Sequence, residues 1–213
     1  MEFRATHLSS AIHGWRVPLL AVAIDSAPFD GSKRVDGARD ESTEWALAAR
    51  AGDPVATAAF VRTTQADVWR FVASLVDTAV ADDLTQETYL RAFRALPAFE
   101  GRASARTWLF GIARRTCADH IRGTVRRRAL LSRAAALGMP EPIGDDPSDA
   151  VGAAELLRRL NPAQREAFVL TQVIGLSYEE AAQSLDVPIG TIRSRVARAR
   201  IELVAAVSQA LAV

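Results

Sequence analysis

Asp82, Asp83 and Glu87 crowd into one short stretch, and three neighbouring acids could hold a magnesium ion for phosphodiester cleavage. On a helix Asp82 and Asp83 project about 100° apart, so only Asp83 and Glu87 share a face. No His joins them, and Arg91 follows Glu87 at the i+4 position, where it pairs with the carboxylate and withdraws it from a metal. No metal site, cofactor or catalytic residue is therefore expected. The acids read either as an exposed polar face or as a docking face for a basic protein partner.

The arginines point to a second chemistry. Residues 176–200, LSYEEAAQSLDVPIGTIRSRVARAR, carry Arg193, Arg195, Arg198 and Arg200 with no acid after Asp186. A guanidinium fork holds a guanine edge through two hydrogen bonds, and short side chains let a helix approach the base edges of a major groove. Arg193, Ser194 and Arg198 supply those groups. Residues 102–128 hold Arg102, Arg106, Arg114, Arg115, Arg122, Arg126, Arg127 and Arg128 against Asp119 as the single acid, with Trp108 and Phe110 among them. Guanidinium groups for phosphates beside an aromatic wall for an unstacked base suit single-stranded nucleic acid. Trp108 and Phe110 are equally candidates for the core.

Helices must position these groups. Ser177 and Glu180 have the spacing of a capping box, so a helix starts there with Ala181, Ala182 and Leu185 inward. Asp186, Val187 and Pro188 break it, and Ile192, Val196, Ala199 and Leu203 then recur as the buried stripe of a second helix. Gly190, Thr191, Ser194, Ala197 and Arg198 fall opposite that stripe, with Arg193 and Arg200 flanking it on one side and Arg195 on the other. The pair is a helix-turn-helix. Upstream, a helical pattern begins at Glu44 and is interrupted at 52–54, where Asp53 can cap a second helix with Pro54 at its first position. Further helical stretches cover 67–76, 81–96 and 102–123. Composition turns to Arg, Gly, Pro and Asp between 124 and 150, which reads as a linker. Helical signal resumes at 151–160, stops at Asn161 and Pro162, and restarts over 163–175. No segment alternates as a strand does. The expected fold is all-α: a flexible leader over 1–43, a helical domain over 44–124, a flexible linker over 125–150 and a second helical domain over 151–210.

The 213 residues are 49% hydrophobic, enough for real cores. Net charge is +1, the sum of opposed basic and acidic blocks rather than a neutral surface. One cysteine, Cys117, excludes an internal disulfide and a multi-Cys zinc site, and its apolar helical position predicts burial. The apolar run at 17–24 contains Pro18 and is too short to span a bilayer, so membrane insertion is not expected and a cytoplasmic location is.

Taken together, DDLTQETYLRAFRALPAFEGRASARTWLFGIARRTCADHIR followed by LNPAQREAFVLTQVIGLSYEEAAQSLDVPIGTIRSRVARAR resembles the extracytoplasmic-function (ECF) sigma factors of the sigma-70 family, over residues 44 to 208. The resemblance implies a region 2 domain, a linker and a region 4 domain in an alternative sigma factor, which binds core RNA polymerase and directs promoter-specific initiation. It implies polymerase contacts through the β′ coiled coil at Asp82, Asp83, Gln86, Glu87 and Arg91, and through the β flap. It places −10 recognition and melting on Arg102, Arg106, Thr107, Trp108, Arg114 and Arg115. It places −35 recognition on Thr191, Arg193, Ser194, Arg195, Ala197, Arg198 and Arg200. An anti-sigma protein is a further partner the family admits. Arg115 stands where many members carry a smaller polar residue such as Asn, which leaves the flipped base open. The competing reading is a stand-alone helix-turn-helix regulator that binds duplex DNA without polymerase.

Overall fold

A computed structural model describes residues 36–135 and 153–211; the leader up to residue 35 and most of the expected linker lie outside the described residues. The helices are α1 Asp36–Arg50, α2 Pro54–Leu75, α3 Thr78–Ala95, α4 Ala105–Ala135, α5 Ala153–Arg159, α6 Pro162–Phe168, α7 Tyr178–Leu185 and α8 Ile189–Leu211, with a π turn Val169–Val173 continuing α6. Among the described residues there is no strand, so the all-α expectation holds.

The capping signals work as their chemistry dictates. Gly52 ends α1 at φ 95°, a left-handed value that strains any side chain. Asp53 Oδ1 accepts from the Val55 and Ala56 amides at 2.8 and 3.2 Å and starts α2. Asn161 and Gln164 close a capping box on α6, as Ser177 and Glu180 do on α7. Three boundaries differ from expectation. α1 begins at Asp36, within the segment read as leader. α2 runs unbroken across 63–66, because the Thr63 and Thr64 hydroxyls donate to carbonyls of the preceding turn and so cost the helix little. α4 continues to Ala135, past the boundary at 124, since Arg, Ala and Leu are good helix formers and the next proline is Pro140.

In the first module Phe60, Phe71, Leu109 and Phe110 are fully buried, with Phe110 edge-on to Phe71 at 5.5 Å between ring centres. Phe110 is thus a core residue. Tyr89 is buried beside Thr64 at 2.7 Å, and because Thr64 already donates to the Phe60 carbonyl, the tyrosine hydroxyl is the donor of that pair. In the second module Ile192, Val196, Ala199 and Leu203 are buried, the stripe read from the sequence, and they pack with Leu157, Leu160, Phe168 and Leu185. Arg165 binds this module's ends together. It donates to the carbonyls of Leu157, Arg158 and Leu160 at 2.8, 2.8 and 3.0 Å, and burial pushes its guanidinium down from its ordinary value.

Candidate polymerase and nucleic-acid interfaces

On α3, Asp77 caps the helix through the Ala79 amide, and the acidic residues then divide. Asp82 Oδ1 accepts from the Trp69 indole at 2.7 Å, which fixes α3 against α2. Glu87 holds Arg91 at 2.7 Å, and Arg91 reaches on to Asp119 of α4, also at 2.7 Å. These hydrogen bonds, first to Glu87 and then to Asp119, raise the Arg91 pKa further; the Arg91 bond likewise holds the Asp119 carboxyl below its ordinary range. Asp83 and Gln86 stay exposed on one face with Leu90, which is 51% exposed although apolar. Leu90 was absent from the sequence-based site. Its signal was the spacing: it lies seven residues after Asp83, two turns along the same face. Among the described residues no group of three or more His, Cys, Asp or Glu side chains could hold a metal.

The start of α4 carries the basic segment. The Ala105 amide donates to Thr43 Oγ1 at 2.9 Å, and Ser104 caps Thr107. Trp108 is half-buried, its ring 4.8 Å from that of Phe99, so it packs on that ring while keeping part of its surface open. Arg102 is exposed and paired with Glu100. Arg106, Thr107 and Arg114 face the second module. Arg106 bridges Asp67 at 2.6 Å and the Ile174 carbonyl at 3.2 Å. The Thr107 side chain is buried, and its carbonyl accepts from Ser184 Oγ at 3.0 Å. Arg114 pairs with Glu166 at 3.2 Å. The modules meet closely at Gly111, where a Cβ would lie 3.6 Å from the Ser184 carbonyl oxygen and 3.7 Å from the Arg115 guanidinium, ordinary van der Waals distances. Arg115 itself is exposed. Arg91, Arg114, Arg115, Asp119 and Arg122 line an open hollow of about 420 Å³ between α3 and α4.

In the helix-turn-helix, Asp186 takes a left-handed φ of 52° at the end of α7, a conformation its short polar side chain tolerates. Gly190, Arg193, Ser194, Ala197 and Arg198 are exposed along α8, with Thr191 and Arg195 half-buried beside them. Arg200 is drawn inward: its Nη2 donates to Gln172 Oε1 in the π turn at 2.7 Å, and its Nε is buried without a partner.

A recognition helix tethered to a second basic module defines a DNA-binding protein of transcription. Residues 60–127 match the family "Sigma-70 region 2" and residues 153–203 match "Sigma-70, region 4". The chain is 52% identical over 169 residues to the ECF RNA polymerase sigma factor SigC of Mycobacterium tuberculosis, covering 76% of this chain and 89% of that one. It is 30% identical over 176 residues to the ECF RNA polymerase sigma-E factor of Haemophilus influenzae, covering 76% and 93%. Among solved structures it resembles CnrH in complex with the cytosolic domain of CnrY, at TM-score 0.62 and 26% identity over 80% of this chain and 99% of that one. It also resembles the sigma factor RpoE in complex with the anti-sigma factor NepR from Bartonella quintana, at TM-score 0.52 and 30% identity over 67% and 91%. The chain belongs to the ECF sigma factors of the sigma-70 family. It is a non-catalytic subunit that directs RNA polymerase to promoters, and the stand-alone regulator is set aside. No described helix is long and apolar enough to cross a membrane.

Proposed function

We propose that three surfaces of this sigma factor divide the work of initiation. The exposed α3 face of Asp83, Gln86 and Leu90, braced by the Glu87–Arg91 pair, docks on the polymerase β′ coiled coil, with the second module meeting the β flap. The start of α4, with Arg102, Arg106, Trp108, Arg114 and Arg115, takes the −10 strand as the duplex opens. On α8, Arg193, Ser194, Ala197 and Arg198 read −35 base edges, while Thr191 and Arg195 lie against the backbone. Arg200 supports α8 through Gln172. Promoter binding proceeds in the cytoplasm, and an anti-sigma protein competes for these surfaces, as the complexes of CnrH and RpoE suggest by similarity.

The observation that carries the −35 assignment is the exposure of Ser194, Ala197 and Arg198 opposite a fully buried stripe, with Arg193 exposed at its flank. The same packing that leaves α8 free covers part of the −10 segment, because Arg106, Thr107 and Arg114 are engaged by the second module. The modules therefore separate when the promoter is bound. Replacing Arg198 by Ala is expected to cost about 1–3 kcal/mol of discrimination at one −35 base pair. Selection of promoters from a randomised pool by the reconstituted holoenzyme measures this, and an unchanged −35 preference removes Arg198 from the reader.

A further inference from the structure

The far half of α4 is mostly exposed, with only His120 and Thr124 half-buried among residues 120–133, and it is the most basic stretch of the chain. From His120 to Arg133 there are five arginines and no acid, and Arg122, Arg126, Arg127, Arg128 and Arg133 are all exposed. Their register is not random. Arg115, Arg122, Arg126 and Arg133 stand at i, i+7, i+11 and i+18, and at 3.6 residues per turn these positions fall within about 40° of one another round the helix. They form a straight line of guanidinium groups about 27 Å long at 1.5 Å per residue. Arg127 and Arg128 point more than about 100° away from that line. Arg122 is partnered by Asp119 at 2.5 Å, whereas Arg115, Arg126 and Arg133 make no ion pair among the described residues.

We infer that this line is a phosphate rail that holds the backbone of the duplex between the −10 and −35 elements. The inference rests on the assignment of the start of α4 to −10 DNA. Chain order then gives the direction: the rail begins at Arg115 in that segment and ends where the chain leaves for the −35 reader, so the DNA beside it is the spacer. About 27 Å spans roughly eight base pairs at 3.4 Å each, counting along one strand. An exposed helix carrying four aligned arginines against the single acid Asp119 attracts a polyanion, and phosphate contacts of this kind position DNA without reading its sequence.

The test uses holoenzyme reconstituted with core polymerase and a promoter that the wild-type protein has selected from a randomised pool. Neutralising the rail as Arg122→Gln/Arg126→Gln/Arg133→Gln retains helix-forming residues. The slope of log Kobs against log salt is expected to flatten by about 2.7, or roughly 0.9 for each phosphate no longer neutralised, with −10 and −35 base preferences unchanged. Arg127→Gln/Arg128→Gln should leave the slope as it was. Uncharged methylphosphonate linkages in the spacer should reproduce the flattening with wild-type protein and add little to the triple variant. An unchanged slope, an equal effect from the Arg127 and Arg128 pair, or full additivity with the neutral spacer overturns the rail while leaving the α8 assignment standing. Failure of the wild-type holoenzyme to select any promoter overturns the underlying assignment, and the rail falls with it.

Discussion

Arg198 and Arg200 stand two residues apart on α8 with opposite environments. Arg198 is exposed, whereas Arg200 spends its charge on Gln172, whose amide in turn donates to Thr171 within the π turn. Arg200→Ala leaves the buried Gln172 oxygen without a donor, and the expected loss of stability is about 1–3 kcal/mol, read from the thermal or urea midpoint. A midpoint equal to wild type would show that Arg200 is not a support. Cys117 offers a pH test. Burial pushes its thiol up to about 12, because the thiolate loses solvation among apolar neighbours. A raised folded pKa means the native state holds its proton longer. Its contribution to stability is therefore complete below the ordinary thiol pKa of 9.0 and lost as pH rises toward about 12. Urea midpoints across that range should fall less steeply in Cys117→Ala, and a parallel decline in both proteins would contradict the burial argument. Asp119 has the opposite sign: Arg91 depresses its carboxyl, so that ion pair persists at neutral pH and is lost only as the solution falls through the acid end of the carboxylate range.

The short elements of the second module show what a sequence pattern specifies well. Ser177 and Glu180 form both hydrogen bonds of the capping box, at 3.2 and 2.8 Å, so Ser177→Ala should cost about 1 kcal/mol, within 0.5–2, on thermal unfolding. Leu203 on the buried stripe and Ile201, 70% exposed, form a contrasting pair on α8. Leu203→Ala is expected to cost about 2–5 kcal/mol and Ile201→Ala about 0.5 or less, and similar losses at both would mean the stripe is misassigned. Caps and stripes were legible because each depends on a few residues at fixed spacing. Less legible was the continuity of α2, since 67–76 read as a separate stretch, whereas the Thr63 and Thr64 hydroxyls bond to the turn below and the helix runs on. The extension of α4 was hidden by its arginines, whose composition resembles a linker although each is a good helix former. The burial of Thr107 and the engagement of Arg106 and Arg114 depend on Ile174, Glu166 and Ser184, residues 52 to 77 positions away. No local pattern encodes partners at that separation.

Across the whole molecule, the two modules meet through polar contacts around Gly111 and through apolar packing, since one buried hydrophobic cluster runs across both. The Arg114–Glu166 pair is partly solvated, with side chains 37% and 17% exposed, and a pair in that setting contributes about 1 kcal/mol or less. Ser184 donating to the Thr107 carbonyl and Arg106 to the Ile174 carbonyl are bonds that water can replace once the modules part. A partner opens the molecule only by what it gains in the separated form over the packed one, and that gain must also cover the apolar contact shared by the modules. Ser184 is buried against α4, with its hydroxyl donating to the Thr107 carbonyl. Ser184→Leu removes the donor and overfills that contact, at a cost to the packed form of about 1–3 kcal/mol. The expected result is a shift toward the separated form by roughly five- to 150-fold at 1.4 kcal/mol per factor of ten. Small-angle X-ray scattering should then report a larger radius of gyration, and a single strand carrying the −10 sequence should bind several-fold more tightly. Binding of a −35 duplex should stay as in wild type, because α8 is exposed in both forms, and that binding also shows that the helix-turn-helix has folded. An unaltered radius together with unaltered strand affinity would mean that the second module does not restrain the −10 segment, and that the contacts around Gly111 have no part in promoter access.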